Sequence, residues 1–198
     1  MKTNSQAYQD VAASIITPGK GRYLEIGSGI PDQESNTYVL DTVFGWSGIC
    51  IDAANYDYSS RSCKFVNTEA VRWLQNHCRD ERFDYISFDI DETTTLAVQA
   101  VLDNNVQFRF ATVEHDKYKH GYKYQNSQHQ FLSSAGYVAM FIDICTSWDE
   151  AMIFEDWWCH RDVCDKTLGV GLSPLEAIRQ VESNINCSPK TVQLSQLK

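Results

Sequence analysis

The stretch RYLEIGSG, residues 22–29, runs from an apolar strand directly into two glycines one residue apart. Tyr23, Leu24 and Ile26 suit a buried strand, and Gly27 and Gly29 permit the tight turn that hands a strand over to a helix. Beyond it, SNTYVLDTVFG (35–45) carries Tyr38, Val39, Val43 and Phe44 at helical spacing and stops at Gly45. SGICID (47–52) is the next strand, so the opening reads strand, turn, helix, strand. The pattern continues with strands at 63–67, 83–90 and 108–115 and helices at 69–77, about 94–104 and 128–136. YVAMFIDI (137–144) and AMIFEDWW (151–158) are joined too closely for a crossover helix and predict an antiparallel hairpin.

The expected fold is therefore α/β, a mostly parallel seven-stranded doubly wound sheet ending in an antiparallel hairpin. Among doubly wound folds this is the arrangement of the Rossmann-like methyltransferases. Residues 1–164 are expected to form that domain, and 165–198 a C-terminal helical extension and tail packed on it. In the extension, SPLEAIRQVESN (173–184) has Ser173 and Glu176 placed for a capping box, with Pro174 at the first helical position. Beyond Asn186 the tail reads as loosely ordered.

With 43% hydrophobic and 22% charged residues, 198 residues suffice for one core without covalent staples. The seven cysteines are odd in number and contain no CxxC pair, which predicts reduced thiols in a cytoplasmic protein. The opening MKTNSQAYQD lacks an apolar signal core, and no apolar run reaches membrane-spanning length. A formal charge of -9 argues against a broad grip on nucleic acid. A small-molecule or carbohydrate partner is expected, with neither membrane nor nucleic acid.

The glycine turn is half of a ligand site. The dinucleotide pattern GxGxxG/A would need a small residue at position 32, where Asp32 stands and would repel a pyrophosphate. Asp52 ends the second strand 23 residues after Gly29, where an acid accepts ribose hydroxyls. A nucleoside lacking phosphates and carrying a cationic sulfonium suits such a cleft, and S-adenosylmethionine is one.

YLEIGSGIPDQESNTYVLDTVFGWSGICID (23–52) resembles the opening of FkbM-type methyltransferases. FDYISFDIDE (83–92), ATVEHDKY (111–118) and LSSAGY (132–137) resemble that family's later strands and helix-to-strand step. The likeness covers roughly 20–145. It departs at Asp52, where glutamate is commoner, and at Asp91-Glu92, which replace Glu-Gly. The resemblance implies that Gly27, Ser28 and Gly29 line the cofactor and Glu25 orders their loop. Asp52 with the adjoining Ala53 would take the ribose, Asn67 and Thr68 would lie near adenine, and Asn36 would either face the cleft or cap a helix. It implies methyl transfer to a hydroxyl of a carbohydrate or small natural product.

For the chemistry, the candidates lie where the fourth and fifth strands end: Asp89, Glu114 and His115 as catalytic groups, His115 as the base. If transfer is metal-assisted, Asp89, Asp91, Glu114 and His115 would hold Mg2+ or Mn2+. Trp157, Trp158 and His160 are candidates for a stacking wall, and DKYKHGYKYQN (116–126) for a lid carrying Tyr118. FDIDETTT (88–95) leaves a second reading open, a haloacid-dehalogenase-type phosphatase with Asp89 as nucleophile, Asp91 as acid/base and Thr93 fixing the loop. A third is a methyltransferase-like binding protein without catalysis.

Overall fold

The computed structural model describes residues 3–185. Eight strands form one sheet: β1 (Arg22–Ile26), β2 (Ser47–Asp52), β3 (Lys64–Asn67), β4 (Arg82–Phe88), β5 (Gln107–Glu114), β6 (Tyr137–Cys145), β7 (Ile153–His160) and β8 (Gly169–Val170). Their order is β3-β2-β1-β4-β5-β7-β6-β8. Every pairing is parallel except those of β7, which runs antiparallel to both β5 and β6. The expected parallel sheet with its hairpin is present, but with eight strands where seven were expected. The addition is the two-residue β8, which pairs Phe141 with Gly169 and Ile142 with Val170. Two residues are too few to show a strand period, so this part of the extension gave no signal in the sequence.

Among the described residues, seven α-helices and a 3-10 turn at Asp91–Thr93 accompany the sheet; the helices are α1 (Gln9–Ile16), α2 (Tyr38–Thr42), α3 (Ala70–His77), α4 (Thr94–Asp103), α5 (Lys117–His120), α6 (Gln125–Ser134) and α7 (Pro174–Asn184). Two apolar layers divide between the faces. Tyr23, Leu40, Tyr85, Phe110 and Trp157 pack with Val11, Ile16 and Val181 of α1 and α7. Leu24, Ile86, Phe108 and Trp158 pack with Leu74, Val98 and Leu132 of α3, α4 and α6. Trp157 and Trp158 are fully buried, one in each layer, so the expected stacking wall is instead core; His160, beyond them, is exposed. Burying two indoles supplies several kcal/mol, which explains why the sheet keeps both.

Local signals place several boundaries. Glu69 caps α3 by accepting from the amides of Val71 and Arg72, and the Ser173–Glu176 capping box starts α7. α1 had no counterpart among the predicted elements, because its polar Gln9 and Asp10 are buried and break the amphipathic pattern. Asp10 instead accepts from Thr3, Asn4 and Ser5, tying the preceding segment to the helix. The six cysteines of the described residues are free thiols, and Cys187 and the tail beyond Asn186 lie outside them. No helix among the described residues is long and apolar enough to cross a membrane.

Candidate functional site

β1 has β2 on one side and β4 on the other, so the strand order reverses between β1 and β4. A crevice opens at such a reversal, at the carboxyl ends of the strands. Gly27 sits there with φ +83°, and a Cβ on it would lie 1.7 Å from the Asp89 carbonyl oxygen. Glycine is therefore required by conformation and by the approach of β4. Gly29 (φ +55°) differs: a Cβ there would meet nothing within 4 Å, and the residue opens onto free space.

The turn is fastened from both sides. Gly27 and Ser28 donate their amides to the Ile51 carbonyl, and Gly29 donates to Asp52 Oδ2 at 2.8 Å. Asp52 Oδ1 accepts from Ala54, which leaves lone pairs on both oxygens. Tyr58 donates toward the Ser28 and Gly29 carbonyls from beneath and stacks on Phe65. Asn67 donates to the carbonyls of Asp52 and Ala53, and Thr68 donates its amide to Asp52, so the two strand ends form one rim.

Glu25 lies behind this rim, 2% exposed. It accepts from Ser35 Oγ, the Asn36 amide and Thr37 Oγ1, which fixes the loop after the turn. Arg61 closes the arrangement. Its guanidinium reaches Asp41 at 3.2 Å and Glu25 at 3.6 Å and donates to Ser35, Thr37 and the Pro31 carbonyl. Burial pushes the Glu25 carboxyl up while Arg61, Thr37 and the loop amide pull it down. Arg61 and Tyr58 escaped sequence reading because the stretch YDYSSRS looks like a solvated connection. The available signal was Glu25 itself, since an acid inside an apolar strand requires a partner. Asn36 is not a helix cap: the N-cap position of α2 is Thr37, whose side chain makes no capping bond, and Asn36 Nδ2 donates to Ser87 Oγ on β4. Its Oδ1 and the Ser28 Oγ are buried without partners.

The second half of the site is acidic. Glu114 Oε2 accepts the Asp91 amide at 2.9 Å, and Glu114 and Asp89 share a side-chain hydrogen bond. Burial raises both carboxyls above the ordinary range; the charges of Asp89 and Asp116 add to the rise at Glu114, while at Asp89 the charges of Glu155, Asp116 and Asp91 add to it and the Glu114 hydrogen bond opposes it. The rise is the larger at Glu114, which favours its protonated form. Asp91, Glu114 and Asp116 offer oxygens within 4.8 Å of one another. A cavity of about 170 Å³ opens beside them, lined by Glu114, Asp116, Tyr118, Lys119, Trp148 and Phe154 among others.

His115 does not join this group. Its Nδ1 accepts the Lys117 amide at 3.1 Å, so Nε2 carries the proton and faces Asp156 Oδ1 at 3.2 Å. The side chain is wholly enclosed. With its lone pair occupied and no exposed edge, His115 holds the β5–β7 joint and cannot serve as the expected base. The proposed metal set of Asp89, Asp91, Glu114 and His115 is thereby divided, because the residue after Glu114 turns to the opposite side of the strand end. His115 instead belongs with Asp143 and Asp156. Asp156 also accepts from His129, Gln125 and the Asp143 amide. Burial pushes this carboxyl up, but the His115 and His129 hydrogen bonds outweigh it and hold Asp156 well below the usual range. In the expected lid, residues 117–120 form the short α5, and Tyr118 reaches the cavity.

No family model matches the chain, and no curated protein matches it. Solved structures do. Human methyltransferase-like protein 13, crystallised with SAH, superposes with a TM-score of 0.51 at 11% identity over 97% of each chain. A putative transferase of Pyrococcus horikoshii gives 0.42 at 12% identity, over 69% of this chain and 55% of that one. TYW2 of the same organism, with MeSAdo, gives 0.42 at 11% over 69% and 54%. The first of these likenesses shows the fold: a Rossmann-like methyltransferase architecture spanning the chain.

Proposed function

We propose that the chain is an S-adenosylmethionine-dependent methyltransferase of FkbM type, acting on a hydroxyl of a carbohydrate or small natural product. The observation that carries this reading is the crevice between β1 and β4. There Gly29 faces open space, Asp52 retains free lone pairs, and two buried polar atoms, Ser28 Oγ and Asn36 Oδ1, have no protein partner. These groups fit the cofactor's parts. Asp52 would accept from the ribose hydroxyls, and Ser28 and Asn36 would meet polar groups of the amino-acid portion. A polyphosphate fits poorly, because the guanidinium beneath the loop is taken by Glu25 and Asp41 and the rim residue Asp52 is an acid.

When bound, the cofactor supplies an electrophilic methyl group on a sulfonium. The chain supplies position and a proton acceptor. Gly27 brings the turn against the Asp89 backbone, so the cofactor cradle and the acidic pocket share a wall. Asp89 takes the acceptor's hydroxyl proton, and Glu114, holding its own proton, stabilises the Asp89 carboxylate beforehand by hydrogen bonding to it. His115 contributes by bracing the end of β5.

A phosphatase of the haloacid-dehalogenase type would carry its nucleophile on the first strand of the core. Here Asp89 follows β4, beside a first strand that bears its own ligand turn. Thermal unfolding separates the readings. S-adenosylhomocysteine should raise the melting temperature and ADP should not. Hydrolysis of p-nitrophenyl phosphate with magnesium, accompanied by phosphate bound covalently at Asp89, would establish the phosphatase instead. Binding of the homocysteine product without transfer to any acceptor would leave the binding-protein reading.

A further inference from the structure

Three groups of acids in this protein are compensated differently. Glu25 and Asp41 have a buried guanidinium, and Asp156 has two imidazoles, an amide side chain and a backbone N–H. Glu114 and Asp116, with the exposed Asp91 beside them, have neither a guanidinium nor an imidazole. The ammonium seated among them comes from Lys119, whose side chain is 45% exposed and enters from the cavity side. Its Nζ lies 2.6 Å from Asp116 Oδ2, 3.9 Å from Asp91 Oδ1 and 5.2 Å from the Tyr118 ring centroid. The pocket's own lysine thus displays what this spot holds: an ammonium between carboxylates and an aromatic face. Unlike Arg61, it is tethered by a flexible stem at the rim and can be withdrawn into water at little cost.

The rest of the cavity fits a ligand with an apolar or ring-shaped body. Trp148 and Tyr118 are 57% and 41% exposed, and Phe154 and Met152 line the same wall. An exposed indole beside an acidic group is a recognition surface for cations with apolar bodies. An anionic acceptor would meet three carboxyl groups, and a neutral one would have to displace Lys119 without replacing its charge.

We infer that the acceptor is anchored by an ammonium group: it is an amine-bearing hydroxyl compound whose cation replaces Lys119 Nζ against Asp116 and Asp91, under Trp148 and Tyr118, presenting its hydroxyl to Asp89. This rests on the methyl-transfer reading and narrows its substrate class from hydroxyl compounds at large to cationic ones. Lys119 then acts as an internal competitor that admits amines and turns away neutral analogues.

The test is an NMR titration of the 15N-labelled full chain at constant ionic strength. D-glucosamine and n-butylamine are the probes, with D-glucose and n-butanol as neutral counterparts. The amines should shift the Trp148 indole N–H and the Asp116–Lys119 amides saturably, and the neutral compounds should not. Asp116→Asn and Asp91→Asn, both at left-handed positions that asparagine tolerates, should each weaken amine binding about tenfold, the loss of one charge-assisted hydrogen bond. Lys119→Met should tighten it. Equal shifts from neutral and amine probes, or none from either amine, would overturn the inference. So would saturable shifts with magnesium chloride where the amines give none, since the group would then be a metal site. Calorimetric titration of S-adenosylhomocysteine on the same sample is read separately. Its failure refutes the methyltransferase reading, whereas its success with silent amines refutes only the ammonium anchor.

Discussion

Glu25 and Glu114 are both enclosed carboxyls on parallel strands, 2% and 9% exposed, yet their surroundings are opposite. For Glu25 the effect next in size to burial is the Arg61 guanidinium, which favours the charged form. For Glu114 it is the Asp89 carboxylate, which disfavours that form further, followed by Asp116. One acid faces a fixed cation and organises the loop at the crevice between β1 and β4. The other is left among acids at a cavity wall, where it retains a proton and where an incoming cation is favoured. A buried charge cluster with its counter-ion built in is scaffold; one without it is poised for exchange.

That contrast is most easily broken at Arg61. Arg61→Met leaves Glu25 and Asp41 buried without their cation and should cost about 3–5 kcal/mol in urea unfolding. A loss below about 1 kcal/mol would remove Arg61 from its scaffolding role. Glu155 extends the acid-rich side: burial raises its carboxyl to about 8, with Glu114 and Asp156 adding to the rise. A carboxyl raised on folding contributes stability that is complete below its unfolded value and is lost as pH climbs through the folded one. Asp10, Glu25, Asp89 and Glu114, also raised on balance, act in the same direction, whereas the depressed Asp156 contributes fully above its unfolded value and so stays constant here. Unfolding free energy should therefore fall between about pH 5 and pH 8, each such carboxyl contributing at most about 1.4 kcal/mol per pH unit. Glu155→Gln should flatten that slope, and a curve that rises over the same interval would contradict the charge assignment.

Gly27→Ala tests the junction between the two regions. Its left-handed φ and the 1.7 Å clash with the Asp89 carbonyl should cost about 2–4 kcal/mol in thermal unfolding, with loss of S-adenosylhomocysteine binding. The mildest change is Glu114→Gln. Because burial and the neighbouring acids favour the protonated form of Glu114, the neutral isostere should shift stability by less than about 1 kcal/mol, and a larger loss would mean that the carboxylate form is the native one.

How far the sequence was legible follows from the length scale of each signal. The glycine turn, Asp52 and the closely joined β6–β7 pair are local patterns, readable within ten residues or so, and they carried the fold class. Arg61 was not readable, because its partners Glu25 and Asp41 meet it only once the loop folds back beneath β1. α1 hid behind buried polar residues, and β8 behind its brevity. His115 departs from the expected base for a reason the sequence contains: neighbours at a strand end point apart, so Glu114 and His115 do not both face one pocket. Trp157 and Trp158, read as a wall, obey the same alternation and enter the two opposite core layers.

The account depends on the crevice between β1 and β4 holding an adenosyl cofactor by its ribose at Asp52. Isothermal titration of S-adenosylhomocysteine into the wild-type chain and Asp52→Ala, with Asp91→Asn as a control on the acidic side, addresses this directly. The prediction is one site per chain, weakened by about 1–3 kcal/mol in Asp52→Ala and unchanged in Asp91→Asn. No heat of binding to the wild type, or equal affinity with and without the Asp52 carboxylate, would contradict it.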